Sequence, residues 1–235
     1  MSGEAFALSF FDADRELYGI ARSGSTILFE GRSGAAHAAG PQVATEGEGW
    51  RAELPGTLSL LLEPVTPELE LGGVGARVCR VSGEAGGRAV SCLGTFSVTR
   101  VTPRWDELDA LRSLSALVDD RNALLALARR PRGVSGHGQE LVRAGLVVDG
   151  ELRQVEETRI STVYDGDGRQ RSAGLEVWLP GEEFPRRGSG LVIAGSSLEL
   201  DPVRVHAAVF RWRLDGREGI GAYELMVRVE PPAAA

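Results

Sequence analysis

Apolar and polar positions along most of the chain come in short runs interrupted by turn signals, a pattern of strands rather than helices. Phe6-Ala7-Leu8-Ser9-Phe10-Phe11 stops at Asp12-Ala13-Asp14, and Leu17-Tyr18-Gly19-Ile20-Ala21-Arg22 resumes beyond it. Leu58 to Leu62 is a short apolar run between Pro55-Gly56 and Pro64. Asp149-Gly150, Asp165-Gly166 and Asp215-Gly216 each stand between two strand-like runs. A type I′ turn needs positive φ at both central residues, which Asp-Gly supplies, so each dipeptide predicts a hairpin.

One segment reads differently. Between Pro103 and Arg130 there is no internal proline or glycine, and Trp105, Leu108, Leu111, Leu114, Leu117 and Val118 recur at helical spacing. Thr102 suits an N-cap, Pro103 the first turn, and Asp106 and Glu107 complement the positive end of a helix. Asp119-Asp120 then opens a second helix carrying Leu124, Leu125 and Leu127, which ends before Pro131. The expectation is a helical connector over 103–132 between a β-rich half at 1–102 and another at 133–230. The proline- and alanine-rich tail, 231–235, is expected to be disordered. At roughly 12 residues per strand and turn, the two halves together hold about 17 strands.

Two hairpins allow their register to be written down. A turn at Ala85-Gly86 places Cys79 opposite Cys92, with Val81 and Val90 on the same face and Arg80, Ser82, Ala89 and Ser91 on the other. A turn at Asp215-Gly216 places Arg213 opposite Glu218, Trp212 opposite Gly219, Phe210 opposite Gly221 and His206 opposite Leu225. Rings lying over strand glycines cover backbone that glycine leaves bare. Phe210, Trp212, Tyr223 and His206 thus share one face, which is either packed core or the wall of a ligand cavity.

Composition changes the picture in three ways. The 31 glycines in 235 residues are nearly double the usual roughly 7%, as many tight turns require. All 26 basic residues are arginine, which excludes Schiff-base chemistry, a lysine base and a P-loop. The net charge of -7 with no basic cluster argues against nucleic acid as a partner. No run is long and apolar enough for a membrane span, and the start Met1-Ser2-Gly3-Glu4-Ala5 lacks the features of a signal peptide, so a cytoplasmic protein with reduced cysteines is expected.

The run Arg211-Trp212-Arg213-Leu214-Asp215-Gly216-Arg217-Glu218-Gly219-Ile220-Gly221-Ala222-Tyr223-Glu224 resembles the last hairpin of the carotenoid 1,2-hydratase (hydroxyneurosporene synthase) and AttH-like superfamily. Phe10-Phe11-Asp12-Ala13-Asp14 with Leu17-Tyr18-Gly19 is similar to its opening hairpin. His137-Gly138-Gln139-Glu140, with Gly145 and Asp149-Gly150, is similar to the start of its second half. The resemblance implies an all-β fold: antiparallel, lipocalin-like (calycin-like) barrel or sandwich in two halves. It also implies a small apolar ligand, isoprenoid- or lipid-like, and in some members cofactor-independent hydration or cyclisation.

Protonating an unactivated double bond requires a strong acid in a dry pocket, and burial raises the pKa of a carboxyl group. Glu140 is the first candidate, with His137 nearby, and Glu224 beside Tyr223 the second. In an extended strand positions 137 and 140 face opposite ways, so they cooperate only if Gly136 or Gly138 bends the chain. Phe210, Trp212, Tyr223 and His206 are the candidate ligand-binding residues. His37, His137 and His206 are widely separated and form no metal-ligand spacing, so neither a metal nor another cofactor is expected. His37 sits in a Gly/Ala-rich stretch that reads as a loop. Three readings stay open: a lipocalin-like binder, a cofactor-free lyase or isomerase, and a non-catalytic interaction module with no cavity, its aromatic face fully packed, which a stable oligomer burying the Trp105 side of the expected helix would favour.

Overall fold

The computed structural model describes residues 5–134 and 137–229, the side chain of His137 excepted, so the tail 231–235 lies outside the described residues. Strands β1 (Ala5–Asp12), β2 (Leu17–Arg22), β3 (Ser25–Glu30), β4 (Ser33–His37), β5 (Gln42–Glu46), β6 (Gly49–Leu54), β7 (Leu58–Pro64), β8 (Leu69–Glu70), β9 (Val74–Ala85) and β10 (Arg88–Thr99) form one antiparallel sheet. A second antiparallel sheet holds β11 (Leu108–Asp119), β12 (Asn122–Pro131), β13 (Leu141–Val148), β14 (Glu151–Arg153), β15 (Glu157–Tyr164), β16 (Gln170–Trp178), β17 (Arg186–Leu200), β18 (Val203–Leu214) and β19 (Arg217–Arg228). No described helix is long and apolar enough to cross a membrane.

Both sheets are wound the same way. The first strand of each half pairs with its last, β1 with β10 and β11 with β19. Each sheet curls as a meander whose open seam falls between strands adjacent in sequence, β4/β5 and β14/β15. The all-β, lipocalin-like architecture in two halves is therefore present.

Curling gives the central strands, such as β1, β11 and β12, two buried faces. One core fills the inside of the first sheet around Phe10, Leu60, Leu62 and Val81. Another fills the second sheet around Leu114, Leu124, Phe210, Trp212 and Tyr223. A third lies between the sheets, where Phe11, Tyr18 and Val78 meet Leu111, Leu117, Val205 and Val209.

This double burial overturns the helical connector. Residues 108–119 and 122–131 are strands joined by a tight turn, with Leu111 and Leu117 facing the other sheet and Leu114 and Ala116 facing inward. A strand buried on both faces loses its polar alternation, and its leucines then fall at helical spacings by default. Asp119-Asp120 starts no helix. The Asp119 carboxylate accepts the Arg121 backbone N–H at 2.8 Å and the Asn122 side-chain amide at 2.9 Å, which closes the β11–β12 turn. His37 lies on the exposed edge strand β4, not in a loop.

Turn chemistry decides the registers. Asp215 and Gly216 have φ of 48° and 80°, and the expected pairs Arg213–Glu218, Trp212–Gly219, Phe210–Gly221 and His206–Leu225 are all present. The cysteine hairpin turns one residue later than expected, at Gly86-Gly87, because both central positions have positive φ (57° and 71°) and Ala85 resists that region. Cys79 therefore faces Gly94 and Cys92 faces Val81, and both cysteines are free. The glycines of β19 have another role than the one expected. A Cβ on Gly221 would lie 1.9 Å from the Ser115 carbonyl oxygen of β11, and one on Gly219 would lie 2.6 Å from that of Leu117. Rings do cover glycines elsewhere: Phe10 over Gly19 and Trp212 over Gly190.

Candidate functional site

Two buried polar clusters stand in the second half, on opposite sides of β11 and β19. Arg112 lies in the middle of β11, flanked by Leu111 and Leu114, and points into the second sheet's interior with its side chain 1% exposed. There it forms an ion pair with Glu140, itself 1% exposed. Arg112 also donates to the Tyr223 hydroxyl at 3.0 Å and to Thr162 Oγ1 at 3.2 Å, and those two hydroxyls are 2.6 Å apart.

Burial works against the charge on Arg112, but Tyr223 and Glu140 outweigh it and hold its pKa above the ordinary value. Burial pushes the Tyr223 hydroxyl up to about 12, with Arg112 pulling the other way. Two charges taken this far out of water persist only when paired and hydrogen-bonded, and Arg112 makes both kinds of contact here.

The aromatic residues complete that interior. Phe210 stacks on Trp212 at 5.3 Å between ring centroids and tilts against Tyr223 at 5.5 Å. All three are buried to 1% exposure or less. His206 shares their side of β18 and bonds Ser197 through Nδ1 at 2.7 Å. Burial, aided by Arg204 and Arg169, lowers the pKa of its imidazole. The Gln170 amide ties the strands together by donating to the His206 and Tyr223 carbonyls, each at 3.1 Å.

Glu224 belongs to the other side. It points between the sheets, where it forms an ion pair with Arg22 of β2 and accepts from Ser113 Oγ at 3.2 Å. Arg22 also approaches Met226 Sδ at 3.2 Å. Next to Glu224 is a cavity of about 70 Å³ bounded by β1 and β10 on one side and β11 and β19 on the other. Its lining is apolar (Leu71, Val74, Leu125, Leu127) except for Glu224 and a set of hydroxyls that includes Ser9, Thr95, Ser113 and Ser115.

Of the residues singled out from sequence, the structure joins Glu140 to Tyr223 through Arg112, and Tyr223 to Phe210 and Trp212 by ring contact. It places Glu224 apart from all of them. The chain bends as cooperation between 137 and 140 requires, in a 3-10 turn over His137–Gln139, but the His137 side chain lies outside the described residues. Arg112 and Arg22 were missed. The signal for Arg112 was a lone arginine inside an apolar run.

No family profile and no curated protein matches the chain. Solved structures do. A candidate AttH from Nitrosomonas europaea superposes with a TM-score of 0.57 at 12% identity, covering 96% of this chain and 92% of that one. Kievitone hydratase from Nectria haematococca superposes with a TM-score of 0.60 at 8% identity, covering 97% and 89%. At such identities the likeness is one of fold, and it extends over both halves.

Proposed function

We propose that the protein binds a small, largely apolar molecule between its two sheets, with Glu224 and Arg22 at the polar end. The observation that carries this reading is the cavity beside Glu224, walled by apolar side chains from both sheets and closed by one carboxylate. Its volume is several times what one water needs, so it holds one end of an isoprenoid- or lipid-like molecule and not its whole length. The lipocalin-like fold supports the same reading, since curled β-sheets commonly keep ligands against an apolar wall.

A second reading is cofactor-free hydration or isomerisation, favoured by one observation: Glu224 is the one carboxylate on the cavity wall among the described residues. A protonated Glu224 would give its proton to one carbon of a double bond. Water would then add at the other carbon and return a proton to the carboxylate. Binding stands first because Glu224 already accepts from Arg22 and Ser113, an arrangement that suits a polar end group. Glu140 remains an alternative acid, bound to Arg112 in the second sheet's interior and away from this cavity. Kinship with carotenoid hydratases in particular rests on the sequence resemblance alone.

The test is organic extraction of freshly purified protein followed by mass spectrometry, together with uptake of a fluorescent lipid probe. A stoichiometric apolar molecule and saturable uptake are expected. Clean protein that takes up no probe would sink the proposal. Loss of turnover with retained binding in Glu224→Gln would promote the enzymatic reading over the binder.

A further inference from the structure

We infer that a second site, a groove at the other end of the inter-sheet gap, binds amphiphiles through an anionic head. The inference does not rest on the cavity beside Glu224. Where β2 and the β3–β4 turn draw away from β17, β18 and β19, the sheets leave a groove of about 580 Å³, a volume within the range of small-molecule sites.

Three arginines line it: Arg32 from the first sheet, and Arg211 and Arg213 from β18. Most arginines of this chain have a carboxylate within 4 Å, but these three have none among the described residues. Arg213 makes only a long contact to the Gly216 carbonyl, at 3.4 Å. Two carboxylates, Glu16 and Glu218, also line the groove, so it carries one net positive charge in a chain of net charge -7. A local excess of unpaired guanidinium groups is what a carboxylate or phosphate head requires, and their planar forks can bind such groups in bidentate fashion.

The groove also has an apolar part. Leu191, on the strand next to Arg211, is 67% exposed and gives the groove an apolar wall beside that guanidinium. Ile193 lies close by because β17 carries a register shift between Val192 and Ala194. Such a bulge turns one extra side chain out of the regular alternation. Buried Tyr18 also lines the groove from the first sheet. An apolar body lying on Leu191 and Ile193 would set its head between Arg32 and Arg211.

The experiment is calorimetric titration of the whole chain with four probes below their micelle concentrations: decanoate, decyl phosphate, neutral decanol and inorganic phosphate. At least one of the two anionic amphiphiles is expected to bind at least tenfold more tightly than decanol and than inorganic phosphate. Binding of both assigns recognition to any oxyanion head, and binding of one alone names the head. Arg211→Gln with Arg32→Gln should weaken the anionic probes at least tenfold. Arg171→Gln with Arg132→Gln, the same charge change at exposed positions outside the groove, should not. Melting curves confirm that each variant is folded. Equal affinity for decanol and the anions, an unchanged affinity in the double variant, or no saturable binding of any amphiphile overturns the inference.

Discussion

Tyr223 and Glu224 are consecutive on β19 and face different interiors. Tyr223 points into the second sheet, where it takes a hydrogen bond from Arg112. Glu224 points between the sheets, where it meets Arg22 of the other half. One strand thus carries a polar group into each of two buried layers, and each group has an arginine for a partner. The two layers can be perturbed separately, because Tyr223 and Glu224 reach into different ones.

The Arg112–Glu140 pair is the more deeply buried, and removing Arg112 breaks an ion pair that water does not replace. Arg112→Met should destabilise the fold by about 3–5 kcal/mol. The double variant Arg112→Met with Glu140→Met should cost less than that single change. Urea unfolding of the four forms reads both numbers, and an Arg112→Met midpoint equal to wild type would contradict the buried-pair assignment.

Glu224 should control selectivity. Glu224→Gln removes a charge from a hydrogen-bonding end group, so uptake of an apolar probe with a polar head should weaken about tenfold. A pure hydrocarbon probe of the same length should bind as before. Parallel titrations of the two probes measure this, and equal losses for both would mean that Glu224 acts on folding alone.

Backbone approach should make Gly221 intolerant of any side chain. A Cβ there meets a main-chain carbonyl, which cannot swing aside, so Gly221→Ala should cost about 1–3 kcal/mol or more. Gly24 has nothing within 4 Å, and Gly24→Ala should stay within about 0.5 kcal/mol of wild type. Thermal melts of the two variants compare them directly.

The two thiols should make the fold sensitive to alkali. Burial pushes both Cys79 and Cys92 up to about 12 from an ordinary 9.0. Above pH 9 the unfolded chain gives up thiol protons that the folded chain keeps, so the thiols' contribution to stability should be level below pH 9 and fall between pH 9 and 12. Denaturant midpoints at pH 8 and pH 10 test the slope. A thiol reagent at pH 8 should leave both cysteines unmodified until the chain unfolds.

The local features were legible in the sequence because local chemistry sets them. Asp215-Gly216 specifies its own turn and so the whole register from Leu214–Arg217 out to His206–Leu225. The short apolar runs between turn signals marked a chain built mostly of strands for the same reason. What depended on tertiary structure was hidden. Whether residues 108–131 are helix or strand turns on which surfaces cover them. Only the stacking of two curled sheets buries both faces of β11 and β12, and that burial makes leucines at every register favourable. Arg112 and Arg22 were invisible as partners because Glu140 and Glu224 are distant in sequence and meet them only through sheet curvature and sheet packing. Alternation along β19 assigns Tyr223 and Glu224 to opposite sides, but a single strand does not say that both sides are interiors.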